Sequence, residues 1–207
     1  MRHLLAVFLK NPQPGRVKTR LAAELGAVRA AEIYRELAEA TLRQLPWEMA
    51  DVWLCFDPPK QREAVQAWLV PLLPSGACVQ WLPQVAGDLG RRMNAVMDAA
   101  FALPDTATLT FIGTDCPDLR WPAPVITQQM AEEHLDAVFG PAHDGGYYLL
   151  ALRRPCPELF ADIPWSTPQT LSTSLAAAAR AGRRVRVLEQ ELCDIDTAED
   201  YLAWLEK

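Results

Sequence analysis

One short apolar segment near the middle of the chain limits what the whole chain can fold into. Residues 109–112 are rich in β-forming side chains, which predicts a buried strand. The segment leads through a Gly-Thr pair to two carboxylates, Asp115 and Asp118, which stand on either side of Pro117. Because proline cannot continue a strand, the chain is expected to turn here, directly after the buried strand ends.

The acidic turn is a candidate metal site. In open α/β sheets ligands bind beyond the carboxyl ends of the strands, which is where Asp115 would lie. Carboxylate oxygens are hard donors that suit Mg²⁺ or Mn²⁺ holding the phosphates of a substrate. The alternative is that Asp115 closes a turn and Asp118 caps the next helix. This segment alone leaves both interpretations open.

Size and charge exclude several classes of function. The 207 residues, half of them apolar, fit one globular domain over residues 1–207. A net charge of −6 argues against a nucleic-acid partner, which would need a basic surface. No apolar run reaches membrane-spanning length and the first residues lead into a strand, so we expect a cytoplasmic protein. The five scattered cysteines match neither a disulfide framework nor a zinc motif.

A basic loop follows the first predicted strand, residues 3–9. A strand that leads into a Pro/Gly loop and then a helix is a common phosphate site in α/β proteins, and cations strengthen such sites. The spacing is not that of a Walker loop, and a solvated basic loop is the alternative. The concentration of cations in an acidic chain favours phosphate binding. The loop residues concerned are Lys10, Pro14, Gly15, Arg16, Lys18 and Arg20.

Two further segments combine glycine with a carboxylate. Gly87 and Gly90 flank Asp88, where the backbone could approach a base or ribose closely, although an ordinary helix N-cap explains the pattern equally well. The sequence Asp144-Gly145-Gly146 can place a carboxylate and bare backbone against a ligand, and its alternative is a plain hairpin.

The last acidic segment mixes two signals. Thr197 followed by Asp200 predicts a capping box at the start of the final helix. That motif leaves Asp194 and Asp196 unexplained, and alternation along an extended segment directs both to one side.

The order of the predicted elements indicates an α/β fold. Gly26 is expected to divide the first helical region, and Ser166 with Thr167 to cap the helix at 168–181. Strands are predicted at 3–9, 49–56, 78–82, 109–112, 136–139, 149–152 and 183–188, and helices at 19–45, 60–69, 89–102, 124–134, 168–181 and from 197 to 204.

Six segments, taken in order, resemble the nucleotide-diphospho-sugar transferase superfold of the GT-A type. The narrower resemblance is to a bacterial family of proteins provisionally described as glycosyltransferases, some of them linked to arsenosugar biosynthesis or to selenodomain-associated gene clusters. The resemblance runs over residues 8–205. The segments are KNPQPGRVKTRL at 10–21, GDLGRRM at 87–93, IGTDCP at 112–117, GPAHDGGY at 140–147, WST at 165–167 and DIDT at 194–197.

The resemblance implies a single three-layer α/β domain with a mixed, mainly parallel sheet. It implies that Asp115 and Asp196 bind the divalent metal, Mg²⁺ or Mn²⁺, and that Asp144 lies on the acceptor side, where it could accept a hydroxyl proton. Lys18 would act in catalysis as well as in nucleotide binding. The implied nucleotide-binding set is Lys10, Pro14, Gly15, Arg16, Lys18, Arg20, Gly87, Asp88 and Gly90, and the implied acceptor side is Gly145, Gly146, Tyr147, Trp165 and Ser166.

Two reactions fit these expectations. The first is transfer of a sugar from a nucleotide-sugar to a small-molecule acceptor, although the chain has Asp-Cys-Pro-Asp where a plain glycosyltransferase has Asp-x-Asp. The second is nucleotidyl transfer from an NTP to a phosphorylated small molecule. A non-catalytic nucleotide-binding module is a third hypothesis. The sequence leaves the oligomeric state open; Trp47, Trp53 or Trp121, if exposed, could form the interface of a homodimer.

Overall fold

The first strand, β1 (Arg2–Lys10), lies inside the sheet and is buried on both of its faces. Its side chains alternate between two hydrophobic cores, with Leu5 and Val7 in one and Leu4 and Ala6 in the other. A strand that is apolar at successive positions needs a cover on each face, because a bare face would expose those side chains to water. This strand therefore requires a layered fold.

The sheet is mixed and mainly parallel, as predicted. The computed structural model describes residues 2–119 and 123–206, with the backbone alone for 123–125 and 127. In these residues β1 is joined by β2 (Asp51–Asp57), β3 (Val79–Pro83), β4 (Thr106–Ile112), β5 (Ala137–Pro141), β6 (Tyr147–Leu152) and β7 (Val185–Val187). Their order in the sheet is β3-β2-β1-β4-β6-β5-β7, and β6 is the one antiparallel strand among them.

Helices cover both faces of the sheet, which confirms the three-layer α/β architecture. The helices are α1 (Thr19–Leu25), α2 (Ala27–Arg43), α3 (Arg62–Leu69), α4 (Leu89–Phe101), α5 (Ala123–Glu132), α6 (Thr170–Arg180) and α7 (Ala198–Leu205). Side chains of α2, α3 and α5 join the core on one face, and those of α4 and α6 join the core on the other. Helices α1 and α7 pack against the outer side of α2.

Of two predictions about helix ends, one is confirmed and one is wrong. The division of the first helical region is confirmed, since Gly26 separates α1 from α2 with a φ of 85°, a value that glycine adopts readily. The predicted cap of α6 is wrong, because Gln169 is its N-cap residue. The Thr167 hydroxyl donates to the Pro164 carbonyl oxygen at 2.8 Å and accepts the Gln169 amide at 3.3 Å, and Ser166 adopts a left-handed φ of 59°.

The tryptophans that the sequence suggested for a dimer interface lie in different environments. Trp53 is 8% exposed and belongs to the core, so its assignment to an exposed interface was wrong. Trp47 packs against the other core and donates through Nε1 to the Leu42 carbonyl oxygen at 3.1 Å. Trp121 lies outside the described residues.

The parallel strands end together at one edge of the sheet. Lys10 ends β1, Asp57 ends β2, Ile112 ends β4 and Pro141 ends β5, all on this edge. Loops that follow these ends are brought side by side whatever their separation in the sequence. We call this the carboxyl edge. Within the described residues, none of the helices has both the length and the apolar character required to cross a membrane.

The capping box at α7 gives a direct test of the C-terminal segment. Thr197 Oγ1 accepts a hydrogen bond from the Asp200 amide at 3.2 Å, and an Asp200 carboxylate oxygen accepts one from the Thr197 amide at 2.8 Å. We expect Thr197→Ala to lower the free energy of unfolding by about 1 kcal/mol in urea denaturation, because the helix loses its cap. Thr197→Ser retains the hydroxyl and serves as the control; an equal loss in both variants would contradict the capping role.

Candidate active site

A cavity of about 370 Å³ opens at the carboxyl edge. Its volume is in the range of small-molecule sites, which are largely apolar and carry a few convergent polar groups. The lining follows that pattern. The apolar and aromatic part includes Phe8, Leu89, Met93, Phe111, Tyr147 and Trp165, and the polar part includes Lys10, Asp115, Asp144, Ser166, Thr170 and Asp194.

The acidic turn after β4 is held from two directions. The hydroxyl of Thr114, a residue that is 1% exposed, donates to the Tyr34 hydroxyl of α2 at 3.1 Å. The same Tyr34 oxygen accepts the Lys10 amide at 2.7 Å. From the other side, the Ile195 amide donates to the Asp115 carbonyl oxygen at 3.0 Å. Asp115 is thereby fixed to the end of β1 and to the C-terminal segment.

Lys18 joins the basic loop to two carboxylates. Its Nζ forms an ion pair with Asp115 and a second one with Asp196 Oδ1 at 3.0 Å. The Lys18 side chain is only 4% exposed, whereas those of Asp115 and Asp196 are 44% and 39% exposed. Burial alone would lower the pKa of Lys18, but the two carboxylates outweigh burial and raise it. Lys18 is therefore a cation at neutral pH, although it is almost fully buried.

The other residues of the basic loop lie around this ion pair. Arg20 Nη1 approaches Asp196 Oδ2 to 3.4 Å from a side chain that is 76% exposed. Lys10 lines the cavity. Pro14, Gly15 and Arg16 are exposed on the loop. The structure thus brings Lys18 to Asp115 and Asp196, Arg20 to Asp196 and Lys10 to the cavity, and it leaves the middle of the loop at the surface.

Asp194 and Cys116 form a buried pair beside Asp115. The Cys116 thiol donates to Asp194 Oδ1 at 2.6 Å. Burial raises the pKa of Asp194 to about 6; the thiol opposes this increase, and the negative charges of Asp115 and Asp144 add to it. Burial and the neighbouring Asp194 also raise the pKa of the Cys116 thiol, which keeps it protonated. A thiol that stays protonated is a poor nucleophile, because the thiolate is the reactive form.

The Asp144 turn is a hairpin that also faces the cavity. It joins the antiparallel strands β5 and β6, as the plain-hairpin alternative required. Asp144 Oδ1 accepts the Gly146 amide at 2.8 Å, and both residues line the cavity. Gly145 has a φ of 84°, and a Cβ there would lie 2.3 Å from the Pro168 carbonyl oxygen, so the turn packs directly against the start of α6.

An aromatic wall lies on the acceptor side that the resemblance implies. Tyr147 and Trp165 pack edge to face with ring centroids 6.3 Å apart. Trp165 also lies close to the backbone of α4, where a Cβ on Gly90 would stand 2.7 Å from its indole nitrogen. Gly90 therefore leaves room for Trp165, a packing role that the sequence did not indicate.

The segment around Asp88 is occupied by its own contacts. Asp88 Oδ1 accepts the Arg91 amide at 2.8 Å and caps α4, which is the N-cap alternative. Arg92 donates to the carbonyl oxygen of Gly87 at 3.0 Å and to the side chain of Gln84 at 2.9 Å. The described lining of the cavity does not include Gly87, Asp88 or Gly90. Their contact with a nucleotide stays a prediction.

Two buried polar residues at the carboxyl edge were missed by the sequence analysis. Tyr34 holds the ends of β1 and β4, as described above. Gln84, 7% exposed, donates through Nε2 to the Cys55 carbonyl oxygen at 2.7 Å and to that of Leu9 at 3.3 Å. A single tyrosine in a helix and a single glutamine in a loop carry no sequence signal of such roles.

The donor chemistry at the carboxyl edge fits a hard divalent cation. Within the described residues, no three histidine, cysteine or acidic side chains are grouped as a complete metal site. Asp115 and Asp196 nevertheless converge on the Lys18 ammonium. Mg²⁺ is commonly held by one or two carboxylates together with water and substrate phosphates, so two carboxylates suffice for it.

Residues 41–167, more than half of the chain, match the model of a family described as uncharacterized protein conserved in bacteria, DUF2064. The chain belongs to this family. A comparison with curated proteins finds no match.

Solved structures extend this comparison. A Desulfovibrio desulfuricans G20 protein, provisionally described as a nucleotide-diphospho-sugar transferase, is 32% identical with a TM-score of 0.78, over 95% of this chain and 84% of that one. The inositol-1-phosphate CTP transferase of T. maritima is 14% identical with a TM-score of 0.59, over 97% and 91%. A manganese complex of Rv0371C from Mycobacterium tuberculosis H37Rv is 15% identical with a TM-score of 0.53, over the full length of both chains. These likenesses confirm the GT-A-type fold.

The Tyr34 hydroxyl offers a test of how the acidic turn is held. Tyr34→Phe leaves the Lys10 amide and the Thr114 hydroxyl without their acceptor, and we expect a loss of about 1–3 kcal/mol in the free energy of unfolding. In the background of Thr114→Val the same change should cost less, because one of the two donors is already gone. Additive losses in a double-mutant cycle would contradict the shared hydrogen bond.

Proposed function

We propose that this DUF2064 protein is a divalent-metal-dependent transferase that moves a sugar from a nucleotide-sugar donor to a small-molecule acceptor. The observation that carries the proposal is the meeting of the basic loop with Asp115 and Asp196 beside one cavity. Cations next to a pair of carboxylates are suited to a substrate that is itself a metal–diphosphate complex.

In this proposal the basic loop binds the diphosphate of the donor. Lys10 lines the cavity, and Lys18 and Arg20 lie at its acidic border. Arg16 is exposed on the same loop, and in this proposal its guanidinium binds a phosphate from the solvent side. These cations would stabilise the negative charge that develops on the leaving nucleoside diphosphate.

Asp115 and Asp196 would hold Mg²⁺ or Mn²⁺. When bound, the metal supplies charge neutralisation for the leaving diphosphate. The manganese complex of the similarly folded Mycobacterium protein supports a divalent cation in this fold.

The acceptor would enter beside Asp144. Its Oδ1 is engaged by the Gly146 amide, which orients the carboxylate toward the cavity that both residues line. A carboxylate so placed could take the proton of the attacking hydroxyl. Tyr147 and Trp165 would pack against the apolar face of a sugar ring or of the acceptor, with Ser166 at their border.

Nucleotidyl transfer is the second candidate. It is favoured by the fold shared with the T. maritima CTP transferase, and by the second carboxylate, Asp196, beside Asp115. The products separate the two reactions, since sugar transfer releases a nucleoside diphosphate and nucleotidyl transfer releases pyrophosphate. Binding of a nucleotide without either product would instead support a non-catalytic module.

Asp115 provides the main test of the proposed function. We expect Asp115→Asn to lower kcat by about 10²–10³-fold, because a neutral amide replaces one charged group that acts on the diphosphate. The measurement uses the donor that a thermal-shift panel of nucleotide-sugars and NTPs, with Mg²⁺ or Mn²⁺, identifies.

The matched control for this test is Asp98→Asn. Asp98 lies on the exposed side of α4, where it accepts a hydrogen bond from Asn94. We expect its kcat to equal that of the wild type. Activity of Asp115→Asn within tenfold of the wild type would exclude Asp115 from the reaction.

A further inference from the structure

Lys18 occupies the position between Asp115 and Asp196 that the proposed function gives to a metal ion. We propose that this ammonium substitutes for the metal in the ligand-free protein, so that the site binds a metal–diphosphate complex and excludes the free divalent ion. The inference rests on the proposed function, because it concerns the order in which the same site is filled.

Three features of the position of Lys18 cost free energy. The side chain is 4% exposed, and burial of a charge costs free energy unless it is paired. The residue has a left-handed backbone, with φ 46° and ψ 55°, which is strained for a lysine. It also precedes the first turn of α1, where the helix dipole disfavours positive charge.

The two ion pairs are the contacts that offset these costs. Asp115 and Asp196 both form an ion pair with the Lys18 Nζ. A free divalent ion that took both carboxylates would leave a buried ammonium without a partner, which is strongly unfavourable. Lys18 therefore competes with the free ion for its ligands.

A diphosphate removes this competition. Its oxygens can accept hydrogen bonds from the Lys18 ammonium at the moment when the metal takes the carboxylates. Metal and diphosphate then promote each other's binding, and this coupling is reciprocal because it is a free energy shared by the two ligands. Lys18 is thus a positioning residue for the loaded complex as well as a barrier to the free ion.

Arg20 is a second cation at Asp196 with which Lys18 can be compared. It also pairs with Asp196, but at 3.4 Å and from a side chain that is 76% exposed. Its guanidinium can return to water when the carboxylate is taken, so it imposes little cost on an arriving metal. Removal of either residue deletes one positive charge near the site, and only the loss of Lys18 removes the bridge.

The test is direct titration of the purified protein with Mn²⁺ alone, in which electron paramagnetic resonance measures the concentration of the free ion. We expect Lys18→Met, which keeps most of the aliphatic stem, to bind Mn²⁺ at least tenfold more tightly than the wild type. Lys18→Arg and Arg20→Met should stay within about threefold of the wild type. Lys18→Asn, whose side chain is tolerated in a left-handed backbone, repeats the test if Lys18→Met does not fold.

A second titration uses radiolabelled pyrophosphate as the diphosphate, with and without Mn²⁺. We expect Mn²⁺ to strengthen pyrophosphate binding to the wild type at least tenfold, and to strengthen it less in Lys18→Met. If the wild type binds the pair in this way but Lys18→Met binds Mn²⁺ alone no better than the wild type, the inference on Lys18 is overturned and the proposed function stands. If the wild type binds no Mn²⁺ even with pyrophosphate, both are overturned.

Discussion

The buried ion pairs of Lys18 are the contacts on which the candidate site depends. They join three segments that lie far apart in the sequence: the basic loop after β1, the turn after β4 and the extended segment before α7. A buried ammonium is stable only when it is paired, so the position of Lys18 and that of the two carboxylates determine each other. The Asp115 carbonyl and the Ile195 amide strengthen the same junction with a hydrogen bond of 3.0 Å.

The sheet explains why these segments meet. Strands β1, β2 and β4 run parallel, so the loops after them emerge at one edge. The antiparallel strand β6 then brings its preceding hairpin, with Asp144, to this edge as well. Polar groups from four separate loops surround one cavity, while the aromatic residues of the neighbouring segments supply its apolar wall.

Features with a local physical cause could be predicted from the sequence. Apolar runs gave the strands, Gly26 divided the helices, and the Thr197 capping box formed because its partners are three residues apart. The cap assigned to Ser166 and Thr167 failed because α6 begins only at Thr170, with Gln169 at its N-cap position. The start of this helix depends on the conformation of a proline-rich loop, which no local pattern specifies.

The rest of the site depends on contacts across the fold. Tyr34 acts on the ends of β1 and β4 from a helix, and Asp194 pairs with Cys116 across 78 positions of sequence. The sequence predicted that Lys18 binds phosphate, and it contained no sign that this residue lies between the two carboxylates. Ion pairing of this kind emerges only when three loops are placed together in space.

The most direct measurement is a crystal structure with Mn²⁺ and a bound nucleoside diphosphate, in which the anomalous signal of manganese locates the ion. The account predicts an ion held by Asp115 and Asp196, with the diphosphate between it and the basic loop and with Lys18 turned toward the phosphates. A nucleotide bound elsewhere would contradict it, for example at the opposite edge of the sheet in the cavity lined by Arg2, Trp47 and Asp51. So would an ion that does not touch Asp115.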